Sequence, residues 1–204
     1  MSFLSSINIY FLFCSLAISY LIGSISFGIV LAKLFNLGNL RLLGSGNIGA
    51  TNVLRTGNKI AAALTLILDS GKGFMIVYVT LVFLGPLYVP FNGIAVFVGH
   101  IFPIYYKFKG GKGVATFLGI FLATDIVVGL LICITWLGLA IITKKSSVAA
   151  LGCSLATPLF LFFSGSNADV LFASTLTMLI WWLHKGNLKR IILKTEPSIT
   201  FKKK

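Results

Sequence analysis

Long apolar runs separated by short polar stretches dominate the chain, and the runs are long enough to set its architecture. A membrane-crossing helix needs roughly 20 predominantly apolar residues. Runs of this kind cover residues 9–35, 60–84, 93–106, 114–124, 126–143, 148–164 and 170–183. The fourth is short, and merging it with the fifth would give one run of 30 residues, 114–143. The alternative is a tight turn near Thr124 and Asp125. No basic residue precedes the first run, and it continues past a signal peptide's length, so it is expected to be retained as a span.

Charge chooses between these counts. With seven spans and the N-terminus outside, 16 of the 17 basic residues fall on the inner segments, and the outer turns carry two aspartates and no lysine or arginine. That is the positive-inside pattern. Six spans would put Lys144 and Lys145 outside, or strand the two glycine-rich stretches on opposite faces. The pattern predicts an all-α, polytopic membrane protein with seven transmembrane helices, N-terminus outside and C-terminus cytoplasmic, forming one domain over residues 1–204. Both glycine-rich stretches and the segment after His184 then arrive on one face.

Composition agrees, since 57% of residues are hydrophobic and only 10% are charged. The net charge of +13 is scattered between apolar runs and carries no nucleic-acid-binding motif, so no nucleic-acid partner is expected. The run Lys202 to Lys204 reads as a contact with anionic membrane lipid. Cys14, Cys133 and Cys153 lie in apolar runs without metal-ligand spacing and read as packing residues. The seventeenth basic residue, Lys72, follows Asp69 by three positions inside the second span, where a buried charge is costly unless paired. A functional pair and a structural tie between spans both fit.

Candidate chemistry concentrates in two stretches. The first, GSGNIGATNVLRTGNK at residues 44–59, sets Ser45, Gly46, Asn47, Thr51, Asn52 and Arg55 among small residues, the composition of an anion cradle. The second, GHIFPIYYKFKGGKGVAT at 99–116, surrounds Lys109 and Lys112 with glycines. Gly110 and Gly111 are expected to expose successive amides there, just before a helix N-terminus. Gly44, Gly46 and Gly49 match a dinucleotide fingerprint, but no strand or βαβ unit surrounds them. The second stretch departs from a P-loop at Tyr106 and Gly113, so nucleotide hydrolysis is not indicated. His100 fits a structural or a catalytic histidine equally. His184, Asn187 and Arg190 are expected on one face of a helix continuing out of the last span, where chemistry is favoured.

Together these residues resemble the bacterial PlsY family of membrane acyl-phosphate:glycerol-3-phosphate acyltransferases. The similarity rests on SGNIGATNVLR, LDSGKG, GHIFPIYYKFKGGKGVAT, the serine turn at Ser146 and Ser147, and HKGNLKRIILKTEP. It implies a bacterial inner-membrane enzyme, a monomer with its site on the cytoplasmic face. It would transfer an acyl chain from acyl phosphate to glycerol 3-phosphate, giving lysophosphatidic acid and inorganic phosphate in phospholipid biosynthesis. By the resemblance, Lys112, His184, Asn187, Thr51 and Ser147 carry the catalysis. Ser45, Gly46, Asn47, Asn52, Arg55, Lys109, Gly110, Gly111 and Glu196 hold the substrates. No metal and no cofactor are implied. Departures from the family pattern fall at Lys145, where an aromatic is common, at Ala149, where a serine is common, and at Lys194, which replaces a small residue.

An acyl phosphate is an activated mixed anhydride, so direct attack by the acceptor hydroxyl needs no covalent enzyme intermediate, and no G-x-S-x-G elbow is present. The proton could pass to His184 or to a substrate phosphate oxygen. An anion transporter is the alternative, although the halves of the chain show no repeat of the kind many transporters have. A noncatalytic scaffold would leave the two polar stretches unexplained.

Overall fold

The computed structural model describes residues 8–164 and 167–199. The turn at 165–166 and the Lys202 to Lys204 run lie outside the described residues. Ten α-helices follow one another: α1 (Ile9–Gly23), α2 (Phe27–Leu34), α3 (Ala50–Leu54), α4 (Lys59–Phe83), α5 (Val89–Ile101), α6 (Val114–Thr124), α7 (Ile126–Thr143), α8 (Ser146–Phe163), α9 (Asn167–Leu183) and α10 (Lys185–Ile192). Among the described residues, five helical stretches are long and apolar enough to cross a membrane: Ile9–Leu34, Lys59–Phe83, Pro86–Tyr106, Ile126–Thr143 and Ser146–Phe163. Two shorter apolar helices, Val114–Thr124 and Asp169–Leu183, complete the set.

The first apolar run is not continuous. It breaks after Gly23, where Ser24 caps α1 and its hydroxyl donates to the Tyr20 carbonyl, before α2 restarts at Phe27. The expected turn between the fourth and fifth runs is present, because Asp125 caps α7 by accepting from the amides of Val127 at 2.9 Å and Val128 at 3.0 Å. A cap of this kind is worth about 1 kcal/mol.

Helices in lipid gain little from the hydrophobic effect and associate through close packing. The α4–α6 pair shows how: a Cβ on Gly73 would lie 2.4 Å from the Thr116 carbonyl oxygen, and one on Gly119 would lie 1.8 Å from that of Ser70. Only glycine permits this approach. Thr116 Oγ1 adds a hydrogen bond to the Asp69 carbonyl at 3.0 Å. Around the pair, Phe97, Phe117, Ile120, Phe121, Ile132, Leu176 and Ile180 form a fully buried core, while Phe13, Phe83, Ile134 and Ile141 face outward as lipid contacts would. A second, smaller core of Ala32, Leu40, Ile48, Val53, Ala61 and Ala62 supports the first glycine-rich stretch at one end of the bundle.

Candidate active site

The first stretch is shaped by Asn52, which is buried. Its Nδ2 donates to the carbonyls of Leu40 at 2.8 Å and Leu43 at 3.0 Å, and its Oδ1 accepts from the Ser45 amide at 3.3 Å and from Arg55 Nη1 at 3.2 Å. Arg55 Nη1 also donates to Ser45 Oγ at 3.3 Å. Asn52 is thus committed to holding the loop. Ser45, Asn47, Thr51 and Arg55 line the cavity the loop encloses.

In the second stretch the expected amide cradle is displaced. The Gly110 amide donates to the Ile101 carbonyl at 2.9 Å and that of Gly111 to the His100 carbonyl at 3.1 Å, so neither is available to an anion. Lys109 turns away, and its carbonyl accepts from Arg41 Nη2. Gly46 also stays out of the cavity, a left-handed turn residue at φ 71° whose amide donates to Leu43. The chain instead bends again at Gly113, whose φ of 75° and contact with Phe97 exclude any Cβ. Lys112, Gly113, Val114 and Ala115 border the cavity at the start of α6. The N-terminus of α6, the positive end of its dipole, thus stands at the cavity where the glycine amides were expected.

The third wall comes from α8, α10 and the tail. Contrary to expectation, the last span does not continue straight, since His184 has φ −97° and ψ 6° and separates α9 from α10. The tail then folds back. Glu196 Oε1 accepts from Ser147 Oγ at 2.7 Å and from Asn187 Nδ2 at 2.6 Å, and its Oε2 accepts from Arg190 Nε at 2.8 Å. Arg55 Nη2 donates to the Ser198 carbonyl at 3.2 Å, and the Ile199 amide donates to that of Lys144 at 2.7 Å. Lys112 Nζ donates to Asn187 Oδ1, which joins the second stretch to the tail.

Electrostatics follows from this crowding. Burial would raise the Glu196 carboxyl, but hydrogen bonds from Ser147, Asn187 and Arg190 hold it below the usual range. Burial, helped by repulsion from Arg190, lowers Lys112 to about 8. Burial and the Lys112 charge push His184 down to about 4, so its ring is neutral at pH 7. Its Nδ1 lies 2.8 Å from the Ile180 carbonyl, which can only accept, so Nδ1 carries the proton and Nε2 is an acceptor.

The cavity these groups share has a volume of about 550 Å³. Arg55, Lys112, His184, Asn187 and Glu196 line it together with an apolar wall of Leu66, Leu118, Cys133, Trp136 and Leu137. Sequence reasoning missed that apolar wall, because nothing in a run of lipid-like residues says which face turns inward. It left open whether Asp69 and His100 act in the site, and both border the cavity.

A helical bundle of membrane-spanning length around a cavity lined by both cationic and apolar side chains is the architecture of an integral membrane protein. The chain belongs to the glycerol-3-phosphate acyltransferase family, whose profile matches residues 13–194. It is 50% identical over 182 residues to the glycerol-3-phosphate acyltransferase of a Jannaschia species, covering 89% of this chain and 90% of that one. It is 51% identical over 186 residues to that of Roseobacter denitrificans, covering 91% and 93%. Its fold matches the crystal structure of PlsY, an integral membrane glycerol 3-phosphate acyltransferase, in the glycerol 3-phosphate form, with a TM-score of 0.88 and 36% identity over 92% of this chain and 94% of that one. The lysophosphatidic acid form gives a TM-score of 0.84. The chain is therefore a glycerol-3-phosphate acyltransferase, an enzyme of phospholipid biosynthesis.

Proposed function

We propose that the donor is an acyl phosphate and that the products are lysophosphatidic acid and inorganic phosphate. One observation carries this reading: a single cavity joins the cations Arg55 and Lys112 to the apolar wall of Leu118, Cys133, Trp136 and Leu137. An acyl phosphate has that polarity, a dianionic head on an alkyl chain. In the reaction the primary hydroxyl of glycerol 3-phosphate attacks the acyl carbon, a new ester C–O bond forms, and the acyl C–O bond to phosphate breaks. Arg55, Lys112 and the α6 N-terminus hold the two phosphoryl groups together against their repulsion. His184 Nε2 accepts a hydrogen bond from the attacking hydroxyl and orients it. With a pKa of about 4 His184 is a weak base, whereas a phosphate oxygen with a second pKa near 6 suits neutral pH. The proton therefore leaves with the phosphate. Ser147 serves by holding Glu196, and no acyl-serine forms.

The seven-span topology with N-terminus outside is part of this proposal, as is a site at the cytoplasmic face of a bacterial inner membrane. The five long and two short apolar helices support it. Purified protein in detergent is expected to form lysophosphatidic acid and stoichiometric inorganic phosphate from acyl phosphate and glycerol 3-phosphate. Equal turnover with acyl-CoA, or product only in sealed vesicles, would overturn the reading.

A further inference from the structure

Three buried side chains behind the second stretch are not used by the reaction as described. Asp69 and Lys72 lie one turn apart on α4, and His100 is the penultimate residue of α5. All three are at most 5% exposed. Lys72 Nζ is 2.9 Å from Asp69 Oδ1, 2.7 Å from the Ile25 carbonyl and 2.9 Å from His100 Nδ1. The carboxylate is an ion-pair partner lying off the direction of an aligned hydrogen bond, whereas the carbonyl is aligned.

The tautomer of His100 follows from Lys72. A lysine buried in a span and touching a carboxylate is stable as the ammonium, because removing its proton would leave Asp69 as an uncompensated buried charge. An ammonium has three N–H donors and no lone pair. Asp69 Oδ1 lies 3.6 Å from His100 Nδ1, beyond hydrogen-bond reach, whereas the ammonium stands at 2.9 Å, so Nδ1 is the acceptor and the ring proton is on Nε2. The opposite edge of the ring, carrying Nε2, packs against the second stretch, since a Cβ on Gly111 would stand 2.4 Å from Nε2. His100 borders the cavity there, next to Lys112 and Gly113. The two histidines thus offer one cavity the same ring atom in opposite roles: His184 an acceptor at Nε2 and His100 a donor at Nε2.

We propose that His100 is a further substrate-binding residue, whose Nε2–H donates to an oxygen of the phosphoryl group held at the N-terminus of α6. Asp69 and Lys72 are positioning residues that fix the imidazole in that tautomer. The inference deepens the acyltransfer reading, because its ligand is the phosphoryl group of the same site. It also explains why a charged pair sits in a span: without the ammonium beside Nδ1 the ring proton would move there, and the phosphate would face a lone pair.

The chain contains two histidines, so ¹⁵N-histidine labelling gives a spectrum of two rings, assigned with His184→Asn. In detergent at pH 7, His100 is expected as the Nε2–H tautomer and His184 as the Nδ1–H tautomer. Adding inorganic phosphate should shift the His100 Nε2–H resonance, and Lys72→Met should move the ring proton to Nδ1, where the Asp69 carboxylate lies 3.6 Å away and can only accept. A purely structural histidine would leave its resonance unmoved by saturating phosphate, and that result overturns the proposal. In the kinetic arm, His100→Asn keeps an acceptor near Lys72 but lacks a donor reaching the cavity. Its melting temperature should stay close to wild type while the inhibition constant of inorganic phosphate rises roughly tenfold, as for a lost charged hydrogen bond. His100→Gln, whose amide nitrogen reaches the Nε2 position, should recover most of that loss. An unchanged phosphate inhibition constant in His100→Asn would also sink it. The phosphate titration does not depend on turnover, so wild-type protein that shifts His100 but makes no lysophosphatidic acid would refute the donor assignment and leave this inference standing.

Discussion

Ser147 Oγ donates to Glu196 Oε1 at 2.7 Å, and this bond fastens the first turn of α8 to a tail segment that has already passed through α9 and α10. Glu196 takes three side-chain donors in all, and one of them, Asn187, is the residue that Lys112 reaches. The carboxylate therefore sets the position of the Lys112 ammonium, the cation proposed to hold phosphate, through one intermediary. Glu196→Gln keeps the shape but removes the charge and offers an N–H where an acceptor is needed. Charged hydrogen bonds contribute about 1.5–3 kcal/mol, so a clear drop in melting temperature and at least a tenfold loss of kcat/KM are expected. Ser147→Ala, which leaves Glu196 two donors, should cost less on both counts. Because the folded pKa of Glu196 is depressed, its stabilising contribution is present above the unfolded value and is lost as pH falls below about 4.5. The Gln variant should lack that acid limb.

The pH profile of activity should report Lys112. Its pKa of about 8 leaves it charged at pH 7 and neutral a unit or two higher, so kcat/KM for the free enzyme is expected to fall as pH rises through 8. Lys112→Arg keeps the charge at every pH in this range. Whatever activity it retains should lack the alkaline limb; an unmoved limb would assign the titration to another group.

How far the sequence alone reached depended on the kind of signal. The positions of the apolar helices, five of them long enough to span, were readable because lipid demands length and apolarity, and the Asp125 turn was readable because an aspartate between two apolar runs is a natural cap. The convergence of Arg55, Lys112, Ser147, His184 and Asn187 on one cavity followed from charge asymmetry once a topology was chosen. The failures have physical causes. Glycines at 110 and 111 suggested free amides, yet these N–H groups close the end of α5, a long-range pairing with no local sequence mark. The break of the first run at Ser24 is carried by small polar residues that also occur inside membrane helices.

Lys194, a departure from the family pattern, sits where the backbone favours a glycine. It follows α10 in the left-handed region at φ 57°, and the Thr195 amide returns to the Arg190 carbonyl at 2.8 Å, the closing bond of a Schellman motif. A residue with a Cβ pays roughly 1–2 kcal/mol in this conformation. Lys194→Gly should raise stability by about 0.5–1 kcal/mol after allowing for the freer unfolded chain. Thermal unfolding in detergent would test it, and a lower melting temperature would show that the lysine side chain contributes something the backbone does not account for.

The proposed topology makes a direct prediction for labelling. Cysteines at Asn58, which caps α4, and at Lys107, which is exposed in the second stretch, should react with an impermeant thiol reagent only from the cytoplasm. The background would be a variant lacking Cys14, Cys133 and Cys153. Labelling of either site from outside would end the seven-span arrangement.

The strongest demand falls on Lys112 and His184, which reach one cavity from different ends of the fold. Lys112 is bound to Asn187 and lowers the pKa of His184, so the two already sense each other before substrate arrives. Lys112→Ala removes a cation expected to contact phosphate, worth about 1.5–3 kcal/mol, and kcat/KM should fall roughly ten- to hundredfold. His184→Ala removes the acceptor proposed to orient the attacking hydroxyl and should reduce kcat by a similar factor. Residues that act on one transition state lose their effects together, so the double variant should lose less than the product of the two single losses. His184 should also titrate higher in Lys112→Ala, because one of the two forces holding it near 4 is gone. Strict multiplicativity, together with a His184 pKa that does not move, would mean that the charge and the imidazole work apart, and the geometry proposed for acyl transfer would fail with them.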